Sequence, residues 1–299
     1  VQLSPPEAPP VWPFLFITIA CGAISGFHAL VASGTSAKQV RSESDSLFVG
    51  YGSMLVEGAL ATLVIIAVAA GIGMGYTTGD QTLVGINAWS NHYSSWTAAA
   101  GLGSKISAFV VGAANMIATL GIPHQIAVVI MGVFVASFAG TTLDTATRIQ
   151  RYVISELGSD LKLTNFRNRH VATTFAITSA ALLAFASGAD GKGALALWPL
   201  FGAVNQTLAA LALIIATLYL RRLGGYKWII TGVPALFMSV MTLWASVMNQ
   251  TQFGTANNLL LQLINAAIII IVAWIILEGV IKFFTGDKLS PEKLTISGD

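Results

Sequence analysis

The sequence predicts an all-α polytopic membrane protein. Hydrophobic residues make up 55% of its 299 positions and charged residues only 9%, where a soluble domain carries about 25% charge. The mean hydropathy is +0.75. A spanning helix needs roughly 20 apolar residues to cross about 30 Å of hydrocarbon. Seven windows qualify: 12–36, 47–76, 125–143, 171–189, 194–220, 228–248 and 259–277. Only the second contains a charged residue, Glu57. No window of useful length alternates with the period of a strand, which argues against a β-barrel.

The same composition excludes other classes. Fifteen Lys+Arg against thirteen Asp+Glu give +2 with no basic block, so nucleic acid is not an expected partner. One cysteine, Cys21, rules out an intrachain disulfide and any cysteine-built zinc or iron–sulfur site. There is no Walker motif, dinucleotide-binding glycine pattern or His-Glu-x-x-His. A nucleotide-driven pump and a zinc hydrolase therefore find no support, and no cofactor, metal or enzymatic activity is expected. The chain starts at Val1 with a Pro-rich stretch, 1–10, and no basic-then-apolar leader pattern. It is expected to begin inside a longer protein.

Orientation follows from the basic residues, which collect in short cytoplasmic loops. With seven crossings and the N-terminal side outside, thirteen of the fifteen fall inside, Lys282, Lys288 and Lys293 among them; only Lys105 and Lys192 fall outside. If the shorter apolar run 106–123 also crossed, Lys38 and Arg41 would move to the side opposite the other basic segments. The stretch 80–123 is therefore expected to be an outer lid of re-entrant helices, allowed where protein or water covers the backbone. Segment 148–170 is expected to be a cytoplasmic loop, and 1–299 a single transmembrane domain.

Polar residues at depth are the functional candidates, because a charge at the centre of a spanning helix costs roughly 2.5–3.5 kcal/mol on insertion scales. In the first span Ser25, His28, Ala32 and Thr35 share one helical face, with Gly22, Gly26, Ser33, Gly34 and Ser36 around them. That density of Gly and Ser favours a broken helix over 12–36, and broken helices expose backbone groups to substrates and ions. A kinked packing helix with His28 bonded to a neighbour is the competing expectation. In the second span Gly50, Ser53, Glu57 and Ala61 form a small-and-polar stripe that turns Glu57 toward protein. There its carboxyl is either a proton carrier or a structural hydrogen-bonding group.

In the third span Thr141 and Thr142 offer the hard oxygen ligands a small cation prefers. Asp144 precedes Arg148 by one turn as an ion pair, and helix-end capping is the alternative. Pro199 should kink the fifth span. Asn205 and Gln206 follow it, lining a path or holding helices together. Asn265 and Gln262 read as packing residues. Trp89, Tyr93 and Trp96 fit an interfacial or lid role, and no role is assigned to His92, His124 or His170.

The segments ITIACGAISGFHALVASGTSAKQ, VGYGSMLVEG, GTTLDTATRIQRY and ALWPLFGAVNQTLAALAL together resemble the carbon starvation protein A (CstA) family over most of the chain. The resemblance implies a prokaryotic inner-membrane transporter that takes up peptides or, in related members, pyruvate, driven by protons. It also implies further N-terminal spans, so the chain looks like the C-terminal portion of a transporter. The missing helices and the lipid bilayer would be its partners. By analogy the family shares the inverted-repeat architecture of LeuT-like transporters. Residues 12–36 resemble its broken sixth helix, 47–76 the seventh and 80–123 the outer lid. The eighth is matched by 125–155, with FAGTT placed like the hydroxyl pair of a sodium site, and the four remaining spans by helices nine to twelve.

The chain is thus read as a proton- or sodium-coupled secondary transporter of a peptide or small carboxylate. Expected substrate contacts are Ser25, Gly26, His28, Ser33, Gly34, Thr35, Asn205 and Gln206. Glu57, His28 and Asp144 are the coupling candidates, and Thr141 and Thr142 the cation-site candidates. A membrane sensor that signals to a partner through 148–170 is the second expectation. An intramembrane hydrolase is weaker, because no paired-Asp or nucleophile–base pattern occurs.

Overall fold

The computed structural model describes residues 8–285 and is about 81% helical. Residues 1–7, with most of the Pro-rich stretch, and Lys288 and Lys293 lie outside the described residues. A widened turn, Val11–Leu15, leads into α1 (Phe16–Ala23) and α2 (Gly26–Gly34). Then come α3 (Asp45–Leu47), a π segment at Phe48–Gly52, and α4 (Ser53–Ile66), which widens again at Ala67–Gly71. A hairpin of β1 (Tyr76–Thr78) and β2 (Gln81–Leu83) pairs Tyr76 with Leu83. The helices α5 (Gly85–His92), α6 (Trp96–Ala100) and α7 (Leu102–Ala118) follow. The remainder is α8 (His124–Asp160), α9 (Arg169–Phe185), α10 (Trp198–Arg222), α11 (Ile229–Thr255) and α12 (Leu259–Thr285).

Among the described residues, six helical stretches are long and apolar enough to cross a membrane: Val11–Lys38, Asp45–Gly71, His124–Asp160, Gly193–Arg222, Ile229–Thr255 and Leu259–Thr285. They coincide with six of the seven windows. The window 171–189 holds α9, whose 17 residues rise about 26 Å, short of a full hydrocarbon thickness. One local expectation is corrected. Pro199 does not kink α10 but sits in its first turn, where its missing N–H would have had no helical partner. Segment 148–170 is largely ordered, because α8 continues to Asp160 and a 3-10 turn forms at Thr164–Arg167.

The chain forms two compact units, one built on residues 36–148 and the other on 9–35 and 149–285. In the first, α7 packs on the widened segment Ala67–Gly71. Close approach requires Gly112, since a Cβ there would overlap the Ala67 carbonyl oxygen. Each carbonyl has a second lone pair to offer, and residues of 80–123 use several. The Tyr93 hydroxyl donates to Val68 O at 2.9 Å. Asn115 Nδ2 donates to Gly71 O at 2.9 Å and to Gly75 O at 2.7 Å. Ile72, Ala88 and Ala108 form the buried core beneath them.

In the second unit, α10 and α11 pack face to face, joined by the short turn at 223–228. The buried positions of α11 run Ala235, Met238, Ser239, Met241, Thr242, Ala245, Ser246, Asn249 and Phe253, spaced by threes and fours as one helical face requires. Ile17 of α1, Ala203 of α10 and Ala245 of α11 make one core cluster. Leu200, Phe253 and Leu261 make another, where α12 joins.

Candidate functional site

The site begins where the first span breaks. α1 ends at Ala23, Ile24 and Ser25 are extended, and α2 restarts at Gly26. A restarted helix leaves N–H groups without intrahelical partners. Asn205 of α10 supplies one: its Oδ1 accepts from Phe27 N–H at 2.8 Å. Its Nδ2 donates to Cys21 Sγ at 2.9 Å. The Ser25 hydroxyl lies within 3.3 Å of Oδ1 and 3.2 Å of Nδ2. One side chain therefore ties both halves of the broken helix to α10. Gly26 makes this possible, since a Cβ there would overlap the Asn205 carbonyl oxygen and the Leu208 Cβ.

Gln206, the next residue, is fully buried, and neither its amide oxygen nor its amide nitrogen has a hydrogen-bond partner. Ala203 precedes it by one turn and packs against Ile17 and Ala245. Helical spacing therefore puts Gln206 one layer along the same junction of α1, α10 and α11. Four other buried polar residues of this seam are satisfied. Thr207 donates to Ala203 O at 2.9 Å, Ser239 to Ala235 O at 2.7 Å and Thr242 to Ser239 O at 3.2 Å. Asn265 Nδ2 reaches Ser246 O and Gln250 Oε1, both at 2.8 Å. Buried polar groups without partners are uncommon, because each costs about 1–3 kcal/mol.

The structure brings Ser25, Gly26 and Asn205 together, and Gln206 follows Asn205 on α10. The other candidates stand elsewhere. His28 is exposed on α2, its ring edge-on to Phe27. Ser33 donates to Ala29 O, Gly34 ends α2, and Thr35 is buried with its hydroxyl unpartnered. In the unit 36–148, Glu57, expected to face protein, is exposed. Thr141 and Thr142 are exposed too, and their hydroxyls donate to Ser137 O and Phe138 O of their own helix. Asp144 pairs with Arg148 at 2.8 Å. Among the described residues, no group of three or more His, Cys, Asp or Glu is arranged to hold a metal ion.

Several residues given no role by sequence turn out to organise the stretch 76–124. His92 is buried, flanked by the rings of Tyr76 and Tyr93, with Ser104 Oγ 3.4 Å from its Nε2. Burial holds its pKa below the ordinary histidine value and lifts that of Tyr93 above the ordinary phenol value. Asn115 spends its amide hydrogens on carbonyls, so its Oδ1 accepts from His124 Nε2 at 3.0 Å. The available signal was a lone Asn inside the apolar run 106–118. The polar seam of α11 was equally legible: Ser239, Thr242, Ser246 and Asn249 recur by threes and fours.

Comparison with known proteins gives this arrangement a context. The peptide transporter CstA of Campylobacter jejuni is 33% identical over 287 residues, covering 83% of this chain and 40% of that protein. Helicobacter pylori CstA, also named a peptide transporter, is 33% identical over 82% of this chain and 40% of its own length. The pyruvate/proton symporter BtsT of Escherichia coli is 32% identical over 79% of this chain and 41% of its own length. The chain thus spans about 40% of the length of these relatives. No solved structure matches it. The sequence profile described as "Carbon starvation protein CstA" matches residues 3–245. With apolar helices enough for a multi-pass bacterial membrane protein and a match of this extent, the chain belongs to the carbon starvation protein CstA family.

Proposed function

We propose that the protein is part of a proton-coupled secondary transporter that takes up peptides or a small carboxylate such as pyruvate. The observation that carries the proposal is the interrupted first span: a helix break tied to α10 by Asn205, beside a buried amide with nothing to bond. Interrupted helices at membrane depth are how transporters present backbone groups to substrates. Substrate contacts are assigned to Ser25, Gly26, Asn205 and Gln206, with His28, Ser33, Gly34 and Thr35 along the same segment. The names of the relatives supply the substrate classes, and BtsT the coupling ion.

The topology that goes with this has seven crossings, α9 and its flanks included, with 80–123 outside. It would match the latter part of a LeuT-like inverted-repeat fold, with helices from outside this chain completing the site. His28, Glu57 and Asp144 are the titratable groups that the spans offer for coupling. Thr141 and Thr142 would hold a cation only if sodium replaced the proton.

The test is accumulation of labelled pyruvate and alanyl-alanine in vesicles carrying the protein, with proton and sodium gradients imposed separately. The expected outcome is concentrative uptake driven by the proton gradient and abolished by a protonophore. Binding without accumulation would favour the sensor, and no binding of either probe would remove the transporter.

A further inference from the structure

We infer that the Gln206 carboxamide is a receptor for a carboxyl group in its neutral, protonated form, so that the transported proton rides on the substrate. The inference rests on the transporter reading above and deepens it by naming what the site recognises.

The argument begins with hydrogen-bond capacity. A carboxamide presents two N–H donors and a carbonyl acceptor. Both ends of Gln206 are unpartnered in a fully buried position. A carboxylate is acceptor-only. It would satisfy Nε2 and leave Oε1 facing another electron-rich oxygen. A carboxylic acid matches both ends at once: its O–H donates to Oε1 and its C=O accepts from Nε2. A primary amide does the same with its own N–H and C=O.

The surroundings favour the neutral form. Burying an unpaired charge is expensive unless an opposite charge or several donors meet it. A compensating opposite charge is lacking around Gln206. The restarted helix α2 has given Phe27 N–H to Asn205 Oδ1. Among the elements packed against α10, α11 and the turn Gly193–Leu197 carry no titratable side chain. α1 carries only Cys21, whose sulfur accepts from Asn205, and α2 only His28, which is exposed. On α12, Glu278 and Lys282 pair with each other. Gly279 beside them lies against Ile214, eight residues along α10 from Gln206, or about 12 Å. Tyr219, Arg221 and Arg222 are farther still along α10.

The coupling step then balances without a titrating side chain. The carboxylate takes a proton from water on the outer side, forming the O–H bond. The neutral acid pairs with Gln206, and the same O–H dissociates into water on the inner side. Because Gln206 is fully enclosed, the substrate reaches it when α1 and α2 lift from α10. The bonds from Asn205 to Cys21, Ser25 and Phe27 are what hold that junction closed.

The test uses the protein in lipid nanodiscs and calorimetry from pH 5 to 8, in buffers of different ionisation enthalpy. The probes are pyruvate, pyruvamide, alanyl-alanine and its C-terminal amide. For the two acids, apparent affinity should fall about tenfold per pH unit above the ligand's own pKa, with one proton taken up per ligand bound. Pyruvamide should bind with a pH-independent constant and no proton uptake. The peptide amide, which carries the same C-terminal group, should lose the acid's pH slope. Whichever pair shows this contrast identifies the source of the carboxyl. Gln206→Leu should weaken acid and amide alike by tenfold or more.

A flat pH profile for both acids or failure of both amides to bind overturns the inference while uptake in vesicles still stands. Failure of wild-type protein to bind any probe or accumulate either acid overturns the transporter reading and this inference with it. If Gln206→Leu does not fold, the contrast between acid and amide on the wild-type protein still decides.

Discussion

The two units of this chain solve the problem of close helix approach in different ways. In 36–148 the helices meet through backbone: Gly112 sits on the Ala67 carbonyl, and Tyr93 and Asn115 bond carbonyls of the widened segment and its sequel. Its groove lined by Leu60, Leu63, Phe109, Met116 and Phe134 is apolar throughout. In 9–35 and 149–285 Gly26 likewise sits on α10 backbone, but side-chain polarity is added, with Asn205, Gln206, Thr242 and Asn265 buried between helices. The spanning windows of α10 and α11 are each 39% buried, while those containing α4 and α8 are 11% buried. The difference teaches where recognition can reside. A backbone-to-backbone contact has every group accounted for, whereas a polar seam can carry a side chain whose bonds remain to be made.

The sharpest way to break this comparison is at the glycines. Gly26→Ala should destabilise by about 3 kcal/mol, the upper range for overpacking, because the added methyl meets backbone of α10. Gly112→Ala should act similarly where α7 meets Ala67. Gly22→Ala, with open space around it, should be neutral or slightly stabilising, as Ala exceeds Gly in helix propensity. Thermal unfolding in detergent reads all three. A comparable loss from Gly22→Ala would show that the break, and not the packing, needs glycine.

Next in size is the amide clamp. Asn205→Leu should cost about 2 kcal/mol, since it removes several interhelical bonds that average about 0.6 kcal/mol in membranes. It should also abolish uptake. Asn115→Leu should cost a similar amount but act locally, raising hydrogen exchange over 67–75 with little change in substrate affinity. Equal loss of affinity in both variants would erase the division of labour between the units.

A smaller effect concerns His92 and pH. Its folded pKa is lowered by burial, so below about pH 6.5 the unfolded chain takes up a proton that the folded chain resists. The contribution is complete above pH 6.5 and is lost as pH falls toward the depressed folded value. His92→Phe should flatten that part of the melting-temperature profile, and an unchanged acid slope would place the titration elsewhere. The smallest effect is expected at Asp144→Asn. The Asp144–Arg148 pair is exposed, and its loss should shift stability by about 0.5 kcal/mol or less, within the range of exposed helix pairs.

Composition and hydropathy by themselves determined the solvent this protein is built for, because about 20 apolar residues in a row have few other homes. They located the starts of six long helical stretches to within a few residues, though not the end of α8, which runs on from 143 to Asp160, and glycine and serine density marked 22–36 as a segment poor in helix-forming residues. The hairpin at Tyr76–Leu83 was not legible, since three-residue strands carry too little alternation to register. Pro199 was misplaced because a proline's effect depends on whether it falls in the first turn or the interior, and the boundary is drawn by what precedes it. Which polar residues are buried was decided by tertiary structure alone. His28, Glu57 and Gln206 all read as polar groups in apolar runs, but burial depends on which face of each helix another helix covers. Helix pairing put Asn205 on the broken span and Gln206 at the junction with α11, while leaving His28 and Glu57 exposed.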